Sequence, residues 1–167
     1  MMNRSPATLR ARALMWLAQR EHSRQELRRK LLHWLREIER RAGDAAKADD
    51  APRIAADDID RLLDALQAAG QLSDARFVES RLNARSARYG NRRIEQELKL
   101  HGAVPDDTQR QSLKATEVAR GQRVWAARFG SPPSDATERA RQMRFLAARG
   151  FTSETIRKVI AGGEDGD

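Results

Sequence analysis

The stretch Leu66-Gln-Ala-Ala-Gly70-Gln-Leu72-Ser-Asp74 has a leucine, a glycine four positions later, then an apolar residue and a helix-capping residue. Leu98-Lys-Leu-His-Gly102-Ala-Val104-Pro-Asp106 repeats this form, and Leu146-Ala-Ala-Arg-Gly150-Phe151-Thr-Ser-Glu154 repeats it with the apolar residue one position earlier. Glycine at such a place commonly ends an α-helix, because it adopts the left-handed conformation without steric cost. The recurrence predicts short helical units in tandem. Because the spacing is uneven, chance recurrence of two common residues is the alternative.

Apolar residues recur with helical spacing along most of the chain. Leu9, Ala13, Trp16 and Leu17 form the first apolar stripe, and similar stripes follow as far as Ile160. No segment shows the sustained two-residue alternation of a half-buried strand. The sequence therefore predicts an all-α fold.

Capping residues and glycines mark where these helices begin and end. Ser23-Arg-Gln-Glu26 has the capping-box form, in which the hydroxyl accepts from the Glu26 amide and the glutamate bonds back to the backbone. Asp135-Ala-Thr-Glu138 has the same form. Gly90 and Gly130 are expected to end helices, as Gly70, Gly102 and Gly150 are.

Two segments carry no apolar stripe. Residues 39–56 are rich in Ala and Asp and include Gly43 and Pro52, so they predict an exposed connection between the second and third helices. Residues 162–167 predict a frayed acidic tail. Neither segment is expected to contain a functional site.

The charge balance is strongly basic. The chain has 32 Lys and Arg against 24 Asp and Glu, a formal net charge of +8. This excess favours a polyanionic partner or an acidic protein surface, although mildly basic proteins also occur without such partners.

The absence of Cys excludes disulfides and thiolate sites and is compatible with a reducing cytosol. No stretch approaches the ~20 apolar residues of a membrane span, so we expect no membrane contact. No apolar core follows the first residues, so we expect no signal peptide. Together these expectations predict a cytoplasmic location.

Residues suited to catalysis are few. His22, His33 and His101 are the only histidines, and none has a second ligand at a metal-binding spacing. We expect His22 and His101 to be turn or surface residues. Glycine-rich nucleotide-binding loops are also absent. The sequence predicts no catalytic residue, no metal and no cofactor.

Arginine is the residue type most informative about binding, because its planar donors fit phosphate and carboxylate. Arg81, Arg85 and Arg88 are spaced to share one face of a helix, and Arg92 and Arg93 follow Gly90 directly. Salt bridges on a solvated face are the alternative, since Glu and Arg alternate over much of the chain. Apart from Tyr89, aromatic residues do not interleave with these cations as in base-stacking surfaces. The candidate contact residues are Arg24, Arg28, Arg29, Arg81, Arg85, Arg88, Arg92 and Arg93.

Four motifs, in order along nearly the whole chain, resemble those of the RecX family. They are Arg20-Glu-His-Ser23-Arg-Gln-Glu26-Leu27-Arg-Arg-Lys30-Leu31, Gly70-Gln-Leu72-Ser-Asp74-Ala-Arg76-Phe77-Val78, Gly90-Asn-Arg-Arg93-Ile94-Glu-Gln-Glu97-Leu98, and Phe145-Leu146-Ala-Ala-Arg149-Gly150-Phe151. The chain departs from the family pattern at His101 and Gln142, where Lys is common, and in the length of segment 39–56. These departures affect local charge contacts.

The resemblance implies an elongated, curved solenoid of three tandem three-helix repeats, placed here at residues 1–70, 71–116 and 117–161. It also implies a non-enzymatic regulator that binds RecA and RecA-coated single-stranded DNA, with bare DNA as a weaker ligand. Such a regulator inhibits the recombinase, ATPase and co-protease activities of RecA and so acts in DNA recombination, DNA repair and the SOS response. The alternative is a sequence-independent DNA-binding protein that acts without RecA, and an enzyme is the third hypothesis.

Overall fold

A computed structural model describes residues 6–42 and 55–162 of the chain. This part contains eight α-helices and no β-strand, which confirms the predicted all-α fold class. The helices are α1 (Pro6–Leu17), α2 (Arg24–Ala42), α3 (Ala56–Ala68), α4 (Asp74–Arg85), α5 (Asn91–Leu100), α6 (Asp107–Arg128), α7 (Ala136–Ala148) and α8 (Ser153–Gly162).

Side-chain caps start two of these helices where the sequence predicts them. At α2 the Ser23 hydroxyl accepts from the Glu26 amide at 3.0 Å, and at α7 the Asp135 carboxylate accepts from the Glu138 amide at 2.8 Å. The Glu26 carboxylate, which was expected to bond back to the backbone, is held instead by the Arg20 guanidinium, which donates to it at 3.1 Å. Each cap satisfies an amide that the first helical turn cannot.

Four of the five glycines expected to end helices do so. Each has a φ between +66° and +80°, the conformation that favours glycine: Gly70, Gly102, Gly130 and Gly150. The expectation for Gly90 is wrong. Gly90 precedes α5, and its carbonyl accepts from the Ile94 amide at 3.3 Å as the helix starts. Glycine is required here instead because the backbone of Phe151 lies close to Gly90.

The described residues divide into two compact units. The first contains the residues up to Phe77 together with His101–Ala103. Helices α1, α2 and α3 enclose its core, which includes Leu9, Ala13, Leu27, Leu31, Ile59, Leu63 and Leu66. The Ser23 hydroxyl donates to the His101 carbonyl at 2.5 Å, and the Phe77 and His101 rings meet edge to face at 5.5 Å. These contacts attach the short segment after α5 to this unit.

The second unit contains Val78–Leu100 and the residues from Val104 onward. Its core is formed mainly by α6, α7 and α8 and includes Trp125, Leu146, Phe151, Ile156, Val159 and Ile160. Gln142, one of the departures from the family pattern, is buried here and accepts from the indole N–H of Trp125 at 2.6 Å. Its amide therefore satisfies a core donor.

The repeats predicted at 1–70, 71–116 and 117–161 stay a prediction. Helices α1–α3 lie in the first repeat, but α6 continues unbroken across the boundary expected at 116/117. Counting α6 in both the second and third repeats gives each repeat three helices. Of the connection expected at 39–56, residues 39–42 are the last turn of α2 and Ala56 begins α3. Residues 43–54 and residues 163–167 of the tail lie outside the described part.

His22, expected to be a turn or surface residue, lies in the connection between α1 and α2 but is not at the surface, because it is 1% exposed. Its Nδ1 lies 2.9 Å from the Arg20 carbonyl, and the Lys30 ammonium lies 3.0 Å from its Nε2. The first contact requires an N–H on Nδ1, so Nε2 accepts from Lys30 and the ring is neutral. His101 follows the last turn of α5 as expected and is partly buried.

Candidate functional site

The backbone at the start of α5 is pressed against the turn before α8. A Cβ atom on Gly90 would lie 2.3 Å from the Phe151 Cα, a distance at which backbone must move. The amides of Gly90 and Arg92 donate to the carbonyls of Arg149 and Gly150, each at 3.0 Å. This clamp fixes the backbone that carries Arg92 and Arg93.

One buried carboxylate joins the N-terminal ends of α5 and α8. Glu117 is 3% exposed and accepts from the Asn91 amide at 2.8 Å and from the Thr152 amide at 3.3 Å. The hydroxyls of Thr152 and Thr155 also donate to it, each at 2.7 Å. Helix N-termini attract negative charge through their unsatisfied amides and the helix dipole. Glu117 therefore acts as a shared cap for two helices.

A buried arginine holds the turn between α4 and α5. Arg120 is 4% exposed and donates to the carbonyls of Ser86 and Tyr89 at 3.3 and 2.7 Å. It also donates to the Leu113 carbonyl at 3.0 Å and to the Asn91 side chain. Burial lowers the pKa of Arg120, while the charge of Glu117 acts in the opposite direction. Arg120 therefore has its donors turned inward and positions the turn that carries Arg88.

Three of the predicted contact arginines are exposed around this fixed backbone: Arg88, Arg92 and Arg93. Within residues 6–42 and 55–162 none of the three has a carboxylate within 4.0 Å. The Arg93 guanidinium lies 4.5 Å from the centre of the Tyr89 ring and donates to the Ala148 carbonyl at 3.4 Å. Stacking of this kind orients the guanidinium plane and leaves its edge available to an anion.

The single-face stripe predicted for Arg81, Arg85 and Arg88 needs correction. Helix α4 ends at Arg85, so Arg88 lies in the following turn. Arg81 and Arg85 both bind Glu97 of α5, at 3.4 and 3.1 Å. The two guanidinium groups therefore share the carboxylate of Glu97.

The candidate arginines on α2 are largely neutralised. Arg28 binds Asp60 through two hydrogen bonds of 2.7 and 2.9 Å, and Arg24 lies 2.7 Å from Asp64. Arg29 is exposed on the same helix. The salt-bridge alternative therefore describes Arg24 and Arg28, and the exposed cations of the second unit are better placed to bind an external anion.

Further stacked arginines of the second unit were not predicted. The Arg149 guanidinium lies 3.8 Å from the centre of the Phe145 ring, and that of Arg141 lies 5.7 Å from the centre of Phe129. The two phenylalanine rings meet edge to face at 5.1 Å. Arg149, the residue directly after α7, follows Phe145 by four positions, a spacing that is visible in the sequence.

The described residues offer little for bond-making chemistry. No group of three or more His, Asp or Glu side chains within them could hold a metal ion. A cleft of about 480 Å³ between α4 and α6 has Glu79 as its one acid and no histidine among its described lining residues. None of the helices in this part of the chain is both long and apolar enough to cross a membrane.

Comparison with known proteins gives matches over almost the whole chain. Models of the second and third three-helix domains of RecX match residues 73–113 and 115–160. The regulatory protein RecX of Herminiimonas arsenicoxydans is 43% identical, with 99% of each chain covered. That of Ralstonia nicotianae is 42% identical, with 98% of this chain and 96% of the relative covered.

A solved structure has the same fold. The crystal structure of RecX from Lactobacillus salivarius matches with a TM-score of 0.67 and 19% identity, and the match covers 95% of this chain and 96% of that one. The tandem domain matches agree with a helical repeat fold. From the identity to its relatives and the two domain models, this chain belongs to the RecX family of regulatory proteins.

Proposed function

We propose that this chain binds RecA, and RecA-coated single-stranded DNA, and inhibits the recombinase, ATPase and co-protease activities of RecA. The observation that carries the proposal is the nearly full-length match to relatives named regulatory protein RecX. In this role the protein acts in the cytoplasm, in DNA recombination, DNA repair and the SOS response. It acts by binding and is not an enzyme.

The exposed cations of the second unit support a contact with a polyanionic assembly. Arg88, Arg92 and Arg93 carry three positive charges without a carboxylate partner among the described residues. Their backbone is fixed by the contacts of Glu117 and Arg120, so little backbone entropy is lost when they bind. We therefore place these three in the centre of the contact surface.

We expect the remaining candidate arginines to contribute less to the affinity. Arg81 and Arg85 share the carboxylate of Glu97, and they lie on the helix that leads to Arg88. Arg24, Arg28 and Arg29 lie on α2 of the first unit. Contacts from both units to several subunits of a filament would raise the affinity through multivalency, without a single strong site.

The proposal is tested by measuring ATP hydrolysis by RecA on single-stranded DNA while the protein is titrated in. We expect inhibition by the wild type and about tenfold weaker inhibition by the Arg92→Glu/Arg93→Glu variant, since two attractive charges become repulsive. Arg110→Glu/Arg61→Glu is the matched control, because it makes the same charge change at two arginines that pair with a neighbouring acid on their own helices.

Two results would contradict the proposal. Unchanged ATP hydrolysis at saturating wild-type protein would overturn inhibition of RecA. Strong binding to bare single-stranded DNA, with a salt slope near −0.7 per phosphate contacted, together with no preference for the RecA-coated strand, would favour the DNA-binding alternative.

A further inference from the structure

The first unit has a cluster of two tryptophans and two cations that comes from two helices. Arg12 and Trp16 lie four positions apart on α1, and Lys30 and Trp34 lie four apart on α2. The Arg12 guanidinium lies 5.8 Å from the centre of the Trp16 ring and 5.1 Å from that of Trp34. The Lys30 ammonium lies 4.5 Å from the centre of Trp16. These four partly buried residues are called the tryptophan patch.

The two cations of the tryptophan patch are not neutralised within the described residues. Neither Arg12 nor Lys30 has a carboxylate within 4.0 Å there, and the Lys30 ammonium contacts the neutral His22 ring. Arg24 and Arg28, on the same helix as Lys30, each bind an aspartate of α3. The contrast indicates that the patch has two positive charges available to an external anion.

The guanidinium of Arg12 lies within cation–π distance of both tryptophan rings. A guanidinium stacked on aromatic rings keeps the N–H donors at its edge free for a bidentate bond to a carboxylate or phosphate. The Lys30 ammonium over the same Trp16 adds a second donor close by. The patch therefore brings two cationic donors together beside apolar rings, an arrangement suited to an anionic group.

The composition of the patch favours a protein partner over a nucleic acid. Cations already lie over the indole rings, so a base would have to displace them in order to stack there. Met15, next to Trp16 on α1, is 44% exposed. Trp, Met and Arg are enriched in the cores of protein–protein interfaces, where they supply most of the binding energy.

We infer that the tryptophan patch binds an acidic segment of a partner protein, with carboxylates on Arg12 and Lys30 and an apolar side chain on Met15. This inference rests on the proposed function for the partner, which is RecA in its filament. It places a second contact in the first unit, separate from Arg88, Arg92 and Arg93 of the second.

The test is a fluorescence anisotropy titration of the labelled full-length chain with RecA filaments on single-stranded DNA. Arg12→Glu should weaken binding by about tenfold or more, because the paired hydrogen bonds of the guanidinium are replaced by a repulsive charge. Arg12→Lys should weaken it several-fold, since it keeps the charge but loses the planar fork. Arg10→Glu is the matched control on the same helix, and it should stay within about twofold of the wild type. Circular dichroism confirms that each variant is folded.

The outcomes separate the inference from the proposed function. If the wild type does not bind filaments, the proposed function is overturned and the inference falls with it. If the wild type binds and both Arg12→Glu and Arg12→Lys bind equally well, only the inference is overturned. If Arg12→Glu reduces binding to a bare thirty-nucleotide dT strand as much as binding to filaments, the patch is a nucleic-acid site and the inference is wrong.

Discussion

Replacement of Glu117 by alanine should strongly destabilise the second unit. Its buried carboxylate accepts four hydrogen bonds of 2.7–3.3 Å from Asn91, Thr152 and Thr155, and two of the donors are amides at helix N-termini. Removing one partner of a buried polar contact leaves the other unsatisfied, which costs about 1–3 kcal/mol per group before relaxation. Because water can reach part of the space that is left, we expect a total loss of about 3–5 kcal/mol.

The loss of stability in the alanine variant should also have an electrostatic contribution. The positive charge of buried Arg120 is stabilised by Glu117, so the alanine variant leaves that charge without compensation. Glu117→Gln keeps the shape but removes the negative charge from the two helix ends, and it should cost about 2 kcal/mol. The order expected for unfolding free energy is therefore wild type, then glutamine, then alanine.

Urea denaturation followed by circular dichroism at 222 nm measures these free energies. Glu95→Ala is the matched control, because Glu95 is an exposed glutamate of α5 and its removal should change stability by less than about 0.5 kcal/mol. If Glu117→Ala lost less than about 1 kcal/mol, the shared cap would not be a principal contact of the unit and the reasoning would be refuted.

Three further changes test other parts of the structure. Burial lowers the pKa of His22 below 6.5. The contribution of His22 to stability is therefore complete above about pH 6.5 and decreases as the pH falls. In urea titrations, His22→Gln should make the unfolding free energy less dependent on pH between about 7.5 and 5.5. Gly90→Ala should lower the free energy of unfolding by about 2–3 kcal/mol in thermal unfolding, because the new Cβ would meet backbone at 2.3 Å. Gly70→Ala should lower it by about 1–2 kcal/mol, because its Cβ would meet no atom within 4 Å but the residue has a φ of +68°. Gln142→Leu should cost about 1–3 kcal/mol by chemical denaturation, since the buried Trp125 N–H loses its acceptor; a cost near zero would show that water replaces the amide.

Local patterns in the sequence predicted the local structure well. Apolar spacing gave the helices, and the left-handed φ of Gly70, Gly102 and Gly150 follows from their position after a leucine-containing last turn. Ser23 and Asp135 cap their helices because the hydrogen bond joins residues three apart, a relation that the sequence displays directly. Such interactions depend on neighbours along the chain.

Contacts between helices were not predictable in the same way. The partners of the candidate arginines, Asp60 for Arg28 and Glu97 for Arg85, lie 32 and 12 positions away, and no local pattern indicates them. The prediction that Gly90 ends a helix was wrong for the same reason. Glycine is required there because the backbone of a turn about sixty residues later leaves no room for a side chain. Long-range geometry decides which cations are neutralised, so it also decides the candidate site.

Within the tryptophan patch, sequence reasoning missed a visible signal. Each cation precedes a tryptophan by four positions, as Arg12 precedes Trp16 and Lys30 precedes Trp34. That spacing places both residues of a pair on one helix face. Only the packing of α1 against α2 brings the Arg12 guanidinium over Trp34, and so joins the two pairs into one surface.

The most direct test of the account is the affinity of the labelled chain for RecA-coated single-stranded DNA, compared with the same strand without RecA, at about 50 and 200 mM salt. The account predicts tight binding to the coated strand, weak binding to the bare strand, and about tenfold or greater loss on the coated strand for Arg88→Glu/Arg92→Glu/Arg93→Glu. Equal affinity for the two strands, or a variant that binds filaments as the wild type does, would contradict it.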